Sequence, residues 1–193
     1  MALRNIVTDE DAILRKASRE VKEVTPRIRE LIGDLWETMY EKDGVGLAAP
    51  QVGVLRRVAV VDATPRPVEP EEGEAEAADE AAPPAGADAG AGEPDGCPPV
   101  YKYTLVNPVV VWRSEEESVD QEGCLSVPGY SGKVSRPVRV RVRALDEEGQ
   151  EYEVEGEGLL ARALCHEIDH LDGVLYTDLA ESVEEIKAEN PDG

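Results

Sequence analysis

The sequence predicts an α+β fold in which antiparallel or mixed β-sheets pack around a central helix, with a second helix near the N-terminus. Apolar residues recur at helical spacing over 25–43 and again over 158–172, whereas much of the remaining chain consists of short segments of β-like composition. Strands and helices that are segregated along a chain are typical of this class. A length of 193 residues suffices for one domain, and we expect 1–193 to form it.

The N-terminal part predicts a short helical piece over 11–16 and then a longer helix. Thr25 is the expected N-cap and Pro26 the first helical residue. The apolar positions that follow have the spacing of one buried stripe, and they are Ile28, Leu31, Ile32, Leu35 and Met39. The glycines and the proline of 44–53 exclude a regular helix there, and they let the backbone approach a ligand or another strand closely.

Residues 64–99 differ from the rest of the chain in composition. They contain ten acidic side chains against one basic side chain, together with eight prolines and nine alanines. Such a segment cannot bury enough apolar surface to offset the entropy lost on ordering it. We therefore expect an acidic, Pro/Ala-rich, disordered insertion between a strand over 57–62 and the β segments that follow. A solvated spacer is favoured over a docking segment for a basic partner.

The second half of the chain predicts several strands. Asn107-Pro108 is expected to interrupt the first β segment after the insertion. Valines alternate with arginines, Arg136 among them, over 134–143, which predicts one half-buried strand with a basic outer face. A turn at 146–149 should lead into an acidic strand over 151–155. We expect the arginines and glutamates of these two strands to pair across the ladder.

Composition limits the classes of function. A net charge of −22 argues against binding to nucleic acid or to an anionic membrane. The first residues do not resemble a signal peptide, and no run of about eighteen apolar residues predicts a spanning helix. Three cysteines, Cys97, Cys124 and Cys165, form no paired framework and suit a reducing, cytoplasmic setting. The acidic tail after Asp178 predicts one frayed helix over 183–186.

Both histidines of the chain lie in one H-E-x-x-H segment, as His166 and His170. On a helix, positions i and i+4 share a face, so both imidazoles can reach one metal ion. Glu167 between them neighbours a stripe of leucines, and apolar surroundings raise the pKa of a carboxyl group as a general base requires. Two chance histidines on an ordinary helix are the alternative interpretation of this motif alone.

A catalytic metal site needs three protein ligands and an open position. Since no third histidine exists, the third ligand is a cysteine or a carboxylate. Cys124 is preferred because it follows a glycine in a turn-like segment beside a strand. Cys165 points about 100° away from His166 around the helix, so packing is its expected role. This donor set suits zinc, cobalt, nickel or ferrous iron, and it predicts attack of an activated water on a carbonyl carbon.

Three stretches together resemble the signature motifs of the bacterial peptide deformylases. They are Gly44-Val45-Gly46-Leu47-Ala48-Ala49-Pro50-Gln51, Glu122-Gly123-Cys124-Leu125-Ser126 and His166-Glu167-Ile168-Asp169-His170. They occur in the family's order, and the likeness covers the chain apart from 64–99. It implies a metal-dependent hydrolase that removes the formyl group from the N-terminal formyl-methionine of newly made polypeptides and releases formate.

The resemblance also implies roles for single residues. Cys124, His166 and His170 would bind one divalent ion, physiologically Fe²⁺, with Zn²⁺, Ni²⁺ or Co²⁺ as substitutes. Glu167 would be the general acid and base.

Two further groups would contact the substrate. Gln51 and the backbone N–H of Leu125 would stabilise the oxyanion. The backbone of Val45 and Gly46 would pair with the peptide like an added strand. The other implied positions are Gly44 and Gly123 in the loops, Val45, Leu159 and Ala163 in the methionine pocket, and Glu122 and Arg162 at its rim.

The implied partners are nascent N-formylmethionyl peptides in the cytoplasm. Some deformylases dock on the ribosome through a basic C-terminal helix, but this tail is acidic, so we expect at most weak association with the ribosome exit region. Two alternatives stay open: a zincin-like metallopeptidase with a downstream carboxylate as third ligand, and a catalytically silent formyl-peptide binder. A structural zinc site is disfavoured because the sequence offers no fourth ligand at suitable spacing.

Overall fold

A computed structural model describes residues 2–65 and 100–186. Its elements in chain order are a 3₁₀ helix Ala12–Arg15, α1 Pro26–Glu41, β1 Gly46–Ala48, a 3₁₀ helix Ala49–Val52, β2 Val58–Asp62, β3 Lys102–Arg113, β4 Glu117–Cys124, β5 Val127–Pro137, β6 Arg139–Leu145, β7 Glu151–Glu157, α2 Leu159–Asp172, α3 Tyr176–Leu179 and β8 Ser182–Glu185. The segment predicted to be a disordered insertion, 64–99, lies outside the described residues apart from its first two positions.

The strands form two antiparallel sheets. One has the strand order β1-β2-β3-β6-β7, and the other has the order β4-β5-β8. Helix α2 contacts all five strands of the first sheet, most extensively β1, β2 and β7, and it also contacts β5 of the second. The predicted α+β class with antiparallel sheets is confirmed. None of the described helices is long and apolar enough to cross a membrane.

The five-stranded sheet is covered by a helix on each face. Strand β2 shows this directly, because successive side chains of a strand point to opposite faces. Val58 and Val60 belong to the core cluster that includes the buried stripe of α1, whereas Ala59 and Val61 belong to the cluster that includes α2. Burial on both faces accounts for the uninterrupted apolar run of β2. Helix α2 packs directly against β1 and β2.

Helix α2 is fixed tightly to the sheet. Its leucines at 160, 164 and 171 are buried, each contributing about 2 kcal/mol of hydrophobic stabilisation. A methyl group added at Gly156 of β7 would lie 2.9 Å from the Leu164 side chain, so the helix packs closely on that strand. Gly173 ends the helix in the left-handed conformation, with φ 80°, as a C-cap glycine does.

The alternating segment 134–143 is two strands, so the prediction of one strand with a basic outer face is wrong. Strand β5 ends at Pro137 and belongs to the small sheet, whereas β6 begins at Arg139 in the large one. Arg136 is only 6% exposed. It lies two residues after the buried Val134, and residues two apart on a strand share a face. The predicted Arg–Glu pairing does hold for β6 and β7, where Arg141 opposes Glu155 at 3.1 Å.

Two other predictions need correction. The break at Asn107-Pro108 is a register shift within the continuous strand β3, where Asn107 has φ 51° and its side chain bonds both backbone groups of Val21. The frayed helix over 183–186 is instead strand β8, which pairs with the edge of β5. Tertiary pairing at an available edge overrides a weak local preference for helix.

Candidate active site

The donor atoms of Cys124, His166 and His170 lie within 4.8 Å of one another. Cys124 ends β4, at a register shift where β4 turns into β5, and the two histidines lie one turn apart on α2. The Sγ of Cys124 is 3.2 Å from Nε2 of His170, which is itself 3.2 Å from Nε2 of His166. A strand end and one helix therefore bring one sulfur and two imidazole nitrogens to one point.

This donor set fits a divalent metal ion. Ligand nitrogens about 2.0–2.1 Å from a tetrahedral ion lie about 3.3 Å from each other, close to the separation of the two Nε2 atoms. Burial lowers the pKa of His166, but hydrogen bonds to Cys124 and Glu122 outweigh burial and raise it to about 10. The negative groups that favour a proton on this ring equally favour a bound cation.

Glu122 fixes the orientation of His166. Its Oε2 is 2.9 Å from Nδ1 of His166, which leaves Nε2 of that ring directed at the donor cluster. Arg136 donates to both Glu122 oxygens at 2.8 and 3.0 Å, and to Asp169 at 2.6 Å. Arg162 donates a further bond to Glu122 at 2.9 Å. Burial alone would raise the pKa of Glu122, but the bonds from His166 and Arg136 lower it to about 2.

Glu167 is buried against the backbone of β1. A methyl group added at Gly46 would lie 2.7 and 2.8 Å from Cδ and Cγ of Glu167, so only glycine leaves room for this carboxyl group. Oε2 of Glu167 has no hydrogen-bond partner within the described residues. Burial raises the pKa of Glu167 to about 7. A carboxyl group of this kind can both accept and return a proton near neutral pH.

The amide of Gln51 is fixed in one orientation. Its Oε1 accepts the backbone N–H of Ala48 at 2.8 Å, which directs the NH₂ group toward the donor cluster. Nε2 donates to the Oγ of Ser126 at 3.2 Å and lies 3.4 Å from Sγ of Cys124. Because Gln51 is only 1% exposed, a preorganised donor lies beside the three ligand atoms.

A cavity of about 380 Å³ opens from this cluster. Most of the positions predicted from the sequence line it: Gly44, Val45, Gly46, Gln51, Glu122, Gly123, Cys124, Leu125, Leu159, Arg162, Ala163, His166 and Glu167. His170 lies deeper, at 1% exposure. Glu122 and Arg162 are 5% and 7% exposed, so their expected position at a rim is wrong. Arg162 instead binds Glu122 and the backbone oxygens of Val134 and Ser118.

The sequence interpretation missed several residues of the site. Arg136 and Asp169 support the metal-ligand cluster through Glu122, and the ring of Tyr176 stacks on His166 with a centroid separation of 6.1 Å. The signal for the burial of Arg136 was its position two residues after Val134, which places both side chains on one face of the strand. No local sequence pattern predicts a role for Tyr176, because its contact with His166 is made only in the folded chain.

An α+β fold with a Cys/His/His donor set at the base of an open cleft, beside a buried glutamate, is the arrangement of a metal-dependent hydrolase. The family model described as Polypeptide deformylase matches residues 3–185. A peptide deformylase of Agathobacter rectalis is 44% identical over 181 residues, covering 94% of this chain and 92% of that protein. The chain therefore belongs to the polypeptide deformylase family, whose reaction is the deformylation of N-formyl-methionine.

Solved structures agree with this assignment. The peptide deformylase of Ehrlichia chaffeensis superposes with a TM-score of 0.73 at 38% identity, covering 94% of this chain and 89% of that one. The enzyme from Thermotoga maritima gives a TM-score of 0.72 at 31% identity, covering 94% and 100%. A further Ehrlichia chaffeensis structure contains actinonin.

Proposed function

We propose that this chain hydrolyses the N-formyl group of N-terminal formyl-methionine in newly made polypeptides and releases formate. The observation that supports this most directly is the convergence of three kinds of group on one cavity. These are the Cys124, His166 and His170 donors, the buried carboxyl of Glu167 and the fixed amide of Gln51. Metal-dependent hydrolysis of an amide bond uses a bound metal ion, a general base and a donor to the developing oxyanion, and the three kinds of group supply these.

Cys124, His166 and His170 hold one divalent cation in this proposal. Fe²⁺ is the physiological ion, with Zn²⁺, Ni²⁺ or Co²⁺ as substitutes, since a thiolate with two imidazoles suits all four. When bound, the cation supplies Lewis acidity toward a water molecule and the formyl carbonyl oxygen. Glu122 keeps the ring of His166 in the ligating orientation through the bond to Nδ1.

Glu167 moves the proton. Its carboxylate takes a proton from the attacking water and returns it to the nitrogen of the leaving amine. A pKa raised by burial to about 7 lets both transfers proceed near neutral pH. The glycine at position 46 is required because any side chain there would displace this carboxyl group.

Gln51 and the backbone N–H of Leu125 stabilise the negative charge that develops on the formyl oxygen. Preorganised donors act strongly in a site shielded from water, because they need no reorientation as charge appears. The bond from Ala48 to Oε1 of Gln51 supplies this preorganisation.

The peptide pairs with the outer edge of β1. Strand β1 ends the five-stranded sheet, so its outward N–H and C=O groups can take an added strand. Val45 and Gly46 supply that contact, and the methionine side chain enters the lobe lined by Val45, Leu159 and Ala163. Recognition through the main chain accommodates nascent chains of varied sequence.

The whole chain 1–193 acts as one domain in this proposal, in the cytoplasm. Its net charge of −22 disfavours contact with ribosomal RNA, so nascent chains reach the site by diffusion, with at most weak association at the ribosome exit region.

The experiment is formate release from formyl-Met-Ala-Ser under anaerobic conditions with Fe²⁺, paired with measurement of bound metal. We expect Cys124→Ser to lose both metal and turnover, with Cys165→Ser as the matched control that keeps both. A metallopeptidase with a downstream carboxylate ligand would instead keep metal in Cys124→Ser. Glu167→Gln should keep metal and lose turnover. A metal-loaded wild-type protein that releases no formate would establish the silent binder instead.

A further inference from the structure

Strand β3 has an open edge along its second half. Strand β2 pairs with β3 only over 102–106, and beyond that point β6 is the one partner of β3 within the described part of the chain. The open edge, 109–113, has the sequence Val-Val-Val-Trp-Arg. Val109, Val111 and Trp112 are 49%, 40% and 46% exposed. Because backbone N–H and C=O groups of such an edge can pair with another strand, proteins usually cover it or place charges on it. An uncovered apolar edge therefore indicates an interaction surface.

The two ends of the open edge have opposite charges. At its N-terminal end, the N–H of Asn107 donates to the carbonyl of Arg57 at 2.8 Å, so Arg57 continues the line of β2. Arg19 and Arg56 form a backbone bridge next to it, and neither makes an ion pair within the described residues. At the C-terminal end, three exposed glutamates follow directly as 115–117. An acidic run alone is ordinary solvated surface, but here it is matched by a basic group at the opposite end of one apolar edge.

An edge of this kind is complementary to its own copy. In an antiparallel pair about a two-fold axis at Val111, residue 109 of one chain lies opposite residue 113 of the other. The strand of the second copy then runs in line with β2, and its acidic run follows beside Arg19 and Arg56. The two-fold axis repeats this contact at the other end. A parallel pair would instead place acidic run beside acidic run.

We propose that the open edge 109–113 pairs antiparallel with the same edge of a second copy of this chain, which joins the two five-stranded sheets into one. None of the five residues lines the cavity, so both active sites stay open in the dimer. Five paired residues bury less than the roughly 800 Å² per partner of a stable interface, so the dimer is weak and reversible. The net charge of −22 opposes association at low salt, but physiological salt screens charges more than about 8 Å apart.

The test is sedimentation equilibrium of the full chain at physiological salt, from on the order of 1 μM to 1 mM. We expect the mass to rise from one chain toward two in the wild type, and to stay that of one chain in Trp112→Lys, because a charge on the edge prevents pairing. Val119→Lys is the matched control and should associate like the wild type, since Val119 is 53% exposed but lies on β4. A wild-type protein that stays monomeric throughout would overturn the proposal and leave the edge to a different partner. Equal association of Trp112→Lys would overturn it as well.

Exchange of charges tests the antiparallel direction. Arg56→Glu and Glu116→Arg should each weaken the dimer about fivefold, because each places like charges in contact. The two substitutions together should restore it, and a double variant that remains weak would refute the antiparallel arrangement. Thermal unfolding of each variant shows whether it is folded.

Trp112 also provides a local signal of association. The chain has two tryptophans, so in Trp36→Phe the emission comes from Trp112 alone. We expect this emission to shift to the blue as the mass rises, because pairing removes the indole from water. Unchanged emission during a rise in mass would place the interface elsewhere and refute the proposal. None of these measurements depends on turnover.

Discussion

Replacement of Arg136 by alanine should destabilise the protein far more than replacement of an exposed arginine. Arg136 makes three charge-assisted hydrogen bonds, two to Glu122 and one to Asp169, at 2.6–3.0 Å. Removing one partner of a buried ion pair costs about 3–5 kcal/mol, because the other charge stays buried. In Arg136→Ala, Glu122 retains its hydrogen bond from Arg162, and the side chain of Asp169 is 26% exposed and can be hydrated. We therefore expect the free energy of unfolding to fall by about 3 kcal/mol, the lower end of that range.

The assay is urea unfolding at fixed metal concentration, with Arg141→Ala as control. Arg141 also bonds a glutamate, at 3.1 Å, but both side chains are nearly half exposed. Such a pair contributes less than about 1 kcal/mol. In a protein of this length, a loss of about 3 kcal/mol lowers the melting temperature by roughly 10 °C. The affinity for metal should also fall by about tenfold or more, because Glu122 would orient His166 less firmly.

Equal destabilisation by the two substitutions would refute this reasoning, since Arg136 is buried and bonds two carboxylates whereas Arg141 is half exposed and bonds one. Unchanged metal affinity in a clearly destabilised Arg136→Ala protein would refute a different step. It would show that Glu122 orients His166 without help from Arg136.

Two other substitutions test the structure independently. Gly46→Ala should reduce kcat about 100-fold with bound metal unchanged, because a shift of about 1 Å in the Glu167 carboxyl is enough for such a loss. Unchanged kcat would show that the position of the Glu167 carboxyl does not depend on glycine at 46. Burial alone would raise the pKa of Asp34, but bonds from the Ala2 N–H and Arg4 lower it. The ionised carboxyl therefore adds to the free energy of unfolding above about pH 4, and this stabilisation is lost as pH falls through the lowered pKa. Asp34→Asn should therefore flatten the decline of unfolding free energy below pH 4, and an unaltered decline would contradict the assignment.

Local sequence patterns predicted the elements that carry the metal ligands, because those elements have strong local signals. The H-E-x-x-H spacing requires a helix to bring His166 and His170 together, and a glycine-flanked turn suits Cys124. Thr25 and Pro26 likewise begin α1 as predicted. Each of these signals lies within a few residues of the feature that it predicts.

The failures concern contacts between distant segments. The alternation of valines and arginines predicts an exposed face for Arg136 only if one strand continues across Pro137, whereas β5 ends there. Its partner Asp169 lies 33 residues away in sequence. The segment 183–186 has weak preferences of its own, and its conformation is decided by the edge of β5. Burial of Glu122 and Arg162 follows from their bonds to each other across 40 residues. Local periodicity contains no information on such pairs.

The origin of the three ligands has a consequence for the folding of the chain. Cys124 belongs to the small sheet and His170 to the helix behind the large one, 46 residues later in sequence. A bound cation thus acts as a reversible crosslink that fastens the β4–β5 hairpin to α2. Because the unfolded chain has no such preformed site, metal loading adds to the free energy of unfolding by mass action. Chelation should loosen the hairpin from the helix before the remainder of the molecule melts, so that amide exchange in β4 reports the cation content of the enzyme.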